Sequence, residues 1–235
     1  MRSRWRSVVT VMSVTLVVAL AGCGGGGGVD EDAVGPAPAT GPAGDTATAR
    51  TIVLQQADMP AGWRGVPHTE SEVERERGRQ LSICLGRPAP EGSRSAIVYG
   101  PDLSMGQLQV SSISTVLKTV EDARSDLESV RGPKYGPCLI TSFSEDLRRQ
   151  APDARVEDVA AEPLPVESYG DGAVGIRLTA SLVYPDRTDR LFADLVYLTK
   201  NRATVSATFF SFGEPFPATL EQSLVSRMGN RIETA

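Results

Sequence analysis

Gly170-Asp171-Gly172-Ala173-Val174-Gly175-Ile176-Arg177-Leu178-Thr179-Ala180-Ser181-Leu182 is the stretch on which the fold turns. Val174, Ile176, Leu178, Ala180 and Leu182 alternate with Gly175, Arg177, Thr179 and Ser181. A period of two sends successive side chains to opposite faces of a strand. One face is apolar and the other small or polar, the mark of a half-buried strand in an antiparallel sheet. Gly170-Asp171-Gly172 ahead of it reads as a turn rather than a cation or phosphate site, since a single acid between two glycines offers one ligand group.

Downstream, Pro185-Asp186-Arg187-Thr188 turns the chain into Leu191 to Leu198, apolar on both faces and therefore central. Lys200-Asn201 turns it again into Ala203, Val205, Ala207 and Phe209, completing a three-stranded meander. Leu220, Leu224, Met228 and Ile232 then recur every fourth residue, a stripe along one side of a helix from about Pro217 to Ile232 that lies on the sheet. Upstream, Arg155 to Ala161 reads as a strand before a bend at Pro163 and Pro165. Ser95 to Tyr99 and Gln107 to Leu117 read as two more, joined by a turn at Gly100-Pro101-Asp102. Thr119, with Asp122 three residues on, caps a helix that carries Val120, Ala123, Leu127 and Val130 to Gly132-Pro133. A second helix over Pro137 to Arg149 holds Cys138, Ile140, Phe143 and Leu147.

The region before these elements is more charged. Ile52-Val53-Leu54 begin a short helix that ends before Asp58-Met59-Pro60-Ala61-Gly62-Trp63. Pro60 and Gly62 suit the corners of a tight turn, which makes Trp63 a buried anchor with its indole N–H satisfied; the alternative places Trp63 in the lining of a ligand cleft. Charges dominate from Glu70 to Gln80, a solvated helix or excursion leading to Leu81-Ser82-Ile83-Cys84-Leu85 and a stop at Gly86. The fold class is α+β: a central antiparallel sheet with helices packed on it, in a single domain over residues 50–235.

The N-terminus supplies an address. Arg2, Arg4 and Arg6 precede an apolar run from Val8 to Leu20 that is short for a membrane span and ends in Leu20-Ala21-Gly22-Cys23. This is similar to the lipobox of bacterial lipoproteins, which implies a signal peptide over residues 1–22, diacylglycerol on the Cys23 sulfur and a chain held on the extracytoplasmic face of the cell membrane. Residues 24–49 open with five glycines and Asp30-Glu31-Asp32, then run in Pro, Ala, Thr and Gly. Such a segment offers too little apolar surface to offset its ordering entropy, so residues 23–49 are a lipidated cysteine and a flexible tether. With Cys23 assigned to lipid, Cys84 and Cys138 remain in an oxidising compartment as one possible disulfide; two buried free thiols are the alternative.

The whole chain carries 24 cations against 29 acids. Residues 1–22 take three of those cations and no acid, leaving 21 against 29, a formal −8. An acidic exported part disfavours nucleic acid and anionic lipid headgroups as partners. Nearly all cations are Arg, with Lys only at 118, 134 and 200, the compositional mark of a GC-rich genome and a hint of an actinobacterium. His68 is the only histidine. There is no Gly-x-Ser-x-Gly elbow, no HExxH and no CxxC, so no catalytic residue, metal ligand or cofactor is assigned. A carboxylate pair assembled by folding is the route to catalysis that sequence leaves open.

A lipobox, a Gly/Pro tether, a short helix running into Asp-Met-Pro-Ala-Gly-Trp, cysteines in two helical segments, Gly-Asp-Gly before a meander and a closing helix occur in that order. Together they resemble small actinobacterial cell-envelope lipoproteins related to the extracellular sensor domains of PknH-like serine/threonine kinases, and less closely lipoproteins with a PsbP- or Mog1-like domain. The resemblance implies helices packed on a central antiparallel sheet and a concave surface for an unknown ligand. The chain differs in having one possible disulfide where the sensor domains carry two, and no kinase domain. The expected function is a monomeric, membrane-anchored, non-catalytic domain that binds a small amphiphile, a lipid or an envelope polymer. The alternative is a module that docks on an envelope protein through a sheet edge or through Phe210 and Phe212; a hydrolase ranks below both.

Overall fold

The computed structural model describes residues 41–87 and 92–235. The expected signal peptide, the expected lipid site Cys23 and most of the expected tether lie outside them. The described residues belong to one compact unit, Pro38–Ala235, and no helix among them is long and apolar enough to cross a membrane.

The elements in chain order are α1 (Pro42–Ile52), β1 (Arg64–Val66), α2 (Glu72–Leu85), β2 (Arg94–Tyr99), β3 (Asp102–Met105), β4 (Leu108–Leu117), α3 (Val120–Arg131), α4 (Tyr135–Gln150), β5 (Arg155–Pro163), β6 (Gly172–Val183), β7 (Thr188–Lys200), β8 (Ala203–Phe212) and α5 (Ala218–Glu233). All eight strands of the described chain form one antiparallel sheet, ordered β1-β3-β4-β8-β7-β6-β5, with β2 paired to the remaining length of β4. The fold is α+β, with the meander β6-β7-β8 at its centre.

The pleat of β7 explains the layering. Val196 and Leu198 point to a core shared with Leu224, Met228 and Ile232 of α5, while Ala193 and Leu195 meet Leu139 and Phe143 of α4 on the other face. Both faces of β7 are thus apolar, as a central strand requires. α1 lies beside α5, over β2 and β4, and α2 stacks outside α4. α2 starts in a capping box, with the Ser71 hydroxyl accepting from the Glu74 amide and the Glu74 carboxylate accepting from the Ser71 amide. It stops at Gly86 with φ 70°. Cys84 and Cys138 are bonded, their Cα atoms 5.8 Å apart, which joins α2 to α4.

Four expectations change. Helix is already present over Pro42–Ile52, ahead of the expected start at Arg50: Ala49 is fully buried and the Asp45 carboxylate is held by Arg202, 157 residues away. The tether-like composition of this stretch hides a helix that only a distant partner fixes. Ile52 ends α1 instead of starting it; Val53 leaves in extended conformation and a single 3-10 turn spans Gln56–Asp58. The turn after β2 leads directly into β3, which hairpins onto β4 through Gly106 at φ 62°. Trp63 is 4% exposed, tilted against Phe216 at 6.2 Å, and its buried Nε1 has no hydrogen-bond partner among the described residues, where the sequence predicts a satisfied indole N–H. Phe210 and Phe212 are half-buried on the α4 side of the sheet, in clusters with Leu139 and Leu147.

Candidate functional site

On the face that α5 packs against, the helix covers β7 and β8, and β5 and β6 are left with a polar surface. Arg177, Thr179 and Ser181 of β6 share that face by the strand period. Their register partners across β7 are Asp194, Phe192 and Arg190. On the other side, β5 pairs Glu162 with Arg177 and Ala160 with Thr179, then slips in register between Glu157 and Ala160. This β-bulge throws Asp158 out of the ladder at φ 51°, one of two non-glycine residues with positive φ among those described. Its carboxylate accepts a hydrogen bond of 3.3 Å from the Ser181 hydroxyl.

Asp158, Thr179, Ala180, Ser181 and Arg190 line a depression of about 280 Å³. The Arg190 guanidinium stands 5.4 Å from the centre of the Phe192 ring and makes no ion pair with any described carboxylate. A cation, a carboxylate and two hydroxyls therefore face one small space.

Next to it lies a buried charge cluster. Arg177 donates from Nε and Nη2 to the two carboxylate oxygens of Asp194, both at 2.6 Å. Asp194 has no exposed surface, and Glu221, in the first turn of α5, is 7% exposed and hydrogen-bonded to it. Burial, then the charge and hydrogen bond of Asp194, push the Glu221 carboxyl up to about 7 against the weaker pull of Arg177. This is the assembled carboxylate pair that sequence left open. Asp194 is fully buried on a bidentate arginine, and Glu221 brings the pair between α5 and the sheet.

The residues singled out from sequence lie elsewhere. Trp63 is not among those lining the depression. The Cys84–Cys138 bond is on the opposite face. His68 has Nδ1 at 3.1 Å from both oxygens of Asp102, its ring stacked on Tyr99 at 4.8 Å, and Nε2 buried without a hydrogen-bond partner. Among the described residues, no hydroxyl hydrogen-bonds to either ring nitrogen. Asp171 accepts from the Asn201 amide at 2.6 Å and ties two turns together, a structural use of Gly-Asp-Gly. No group of three or more His, Cys, Asp or Glu among the described residues is placed to hold a metal ion.

Sequence reading missed Asp158, Arg190, Asp194 and Glu221. Asp194 alone left a trace, as the one acid inside the apolar run Leu191 to Leu198.

Fold and site define an antiparallel α+β domain with one partly open, polar sheet face. No protein-family profile matches the chain, and no curated protein matches it. Among solved structures, the chain is similar to the extracellular domain of PknH from Mycobacterium tuberculosis, with 8% identity over 81% of this chain and 97% of that one, at a TM-score of 0.39. It is also similar to LpqN, a Mycobacterium tuberculosis protein involved in cell envelope biogenesis, with 10% identity over 78% and 87% of the two chains and a TM-score of 0.29.

Proposed function

We propose that this chain is a non-catalytic, ligand-binding domain presented on the extracytoplasmic face of the cell membrane by lipid on Cys23. The observation that carries it is the depression at the β5 bulge, where the sheet face left open by α5 gathers Asp158, Thr179, Ser181 and Arg190. Ligand sites are concave and orient their ligands by a few converging polar groups. The Cys84–Cys138 disulfide supports the exported location, because such bonds persist in oxidising compartments. The lipobox-like Leu20-Ala21-Gly22-Cys23 supports the anchor.

The test is NMR shift mapping of the full chain in micelles of a polyoxyethylene detergent, titrated with a small-molecule extract of bacterial cell envelope. Shifts centred on Thr179 and Ser181 are expected. An extract that moves no resonance of Asp158, Thr179, Ser181 or Arg190 overturns the reading.

A further inference from the structure

The depression presents opposite charges that do not neutralise each other. Asp158 is held outward by the bulge and, among the described residues, accepts only from the Ser181 hydroxyl, while the Arg190 guanidinium stands over the Phe192 ring. Elsewhere on this face the two signs do pair: Arg177 is locked onto Asp194. Arg190 and Asp158 are thus the charged groups left for a guest. A guanidinium matches a carboxylate through two parallel N–H bonds, and a carboxylate accepts well from an ammonium. Thr179 and Ser181 add hydroxyls that donate or accept. A depression of about 280 Å³ suits a small guest.

We propose that the depression takes a small zwitterion of the amino-acid or dipeptide kind, its carboxylate on the Arg190 guanidinium and its ammonium on Asp158. This rests on the reading of the depression as a binding site and names its ligand chemistry. A neutral polyol would leave both charges unmatched, and a simple anion would face the uncompensated Asp158 carboxylate. Both groups are solvent-exposed, so the affinity is modest and salt-sensitive.

Four probes test the full chain in the same micelles: glycylglycine, N-acetylglycine as anion only, glycinamide as cation only, and glucose. Glycylglycine is expected to shift Thr179 and Ser181 with a Kd of about 1 mM, and the single-charge probes to bind about tenfold more weakly. Arg190→Ala and Asp158→Asn should each lose about tenfold for glycylglycine. Asn tolerates the positive φ at position 158, so the second variant keeps the bulge. N-acetylglycine binding as tightly as glycylglycine, or glucose shifting the site while glycylglycine does not, overturns the zwitterion and leaves the binding reading standing. Failure of the envelope extract and all four probes to shift the site overturns both.

Discussion

Glu221, in the first turn of α5, meets Asp194 of β7 carboxyl to carboxyl beneath the helix. Arg177 occupies both oxygens of Asp194, so the second acid remains comfortable there only while it keeps its proton. An unfolded glutamate titrates near 4.5, and in the folded chain this one is raised to about 7. A proton held more tightly by the native state stabilises it fully below the unfolded value, and that contribution is lost as pH rises through about 7. The urea midpoint should therefore fall between about pH 5 and about pH 8. Glu221→Gln, which keeps a donor toward Asp194 without titrating, should flatten that slope; an unchanged slope would assign it to other groups.

Asp58 shows the opposite sign. Burial opposes its charge, yet the Arg231 guanidinium, the Gln55 amide and Arg227 outweigh burial and hold the carboxyl below the usual range. Its contribution is present at neutral pH and is lost as pH falls through that lowered value. Asp58→Ala should destabilise by about 3 kcal/mol in thermal melts, because it strands Arg231 and uncaps the 3-10 turn.

Reduction of Cys84–Cys138, or the double change to serine, should cost about 4 kcal/mol on the chain-entropy model. The bonded residues lie 54 apart in sequence. Ser82 is the only residue of α2 that counts as buried, so hydrogen exchange should accelerate in α2 before α4. Uniform acceleration across both helices would count against a local role for the bond.

Gly229 lies on α5 where the Tyr169 ring packs flat against it, and a methyl group there would run into the ring. Gly229→Ala should destabilise by about 1–2 kcal/mol, although alanine normally favours a helix interior by about 1 kcal/mol. In a Tyr169→Ala background the same change should become neutral or stabilising; equal losses in both backgrounds would refute the contact as the cause.

Cys23→Ala should move the protein from the membrane fraction to the soluble fraction, since acyl chains on that sulfur are the expected anchor. A variant that still pellets with membranes would remove the lipid from this account.

Much of the scaffold was legible because it is written in local chemistry. The alternation from Val174 to Leu182 became β6, and the stripe Leu220, Leu224, Met228 and Ile232 became the buried side of α5. Thr119 caps α3, and Gly86 ends α2 in a left-handed conformation. In each case the signal spans a few residues and is read by the backbone itself.

The candidate site was not legible, for an equally physical reason. Asp158 faces the depression only because β5 slips one position against β6, and that slip has no signature in the strand's own residues. Glu221 and Asp194 are 27 positions apart, and α1 begins at Pro42 because Asp45 finds Arg202 at the far end of the chain. By itself, sequence determined the α+β class, the central meander and the helix faces. Tertiary structure decided which polar groups converge, because register and helix docking are set by long-range burial that no local window contains.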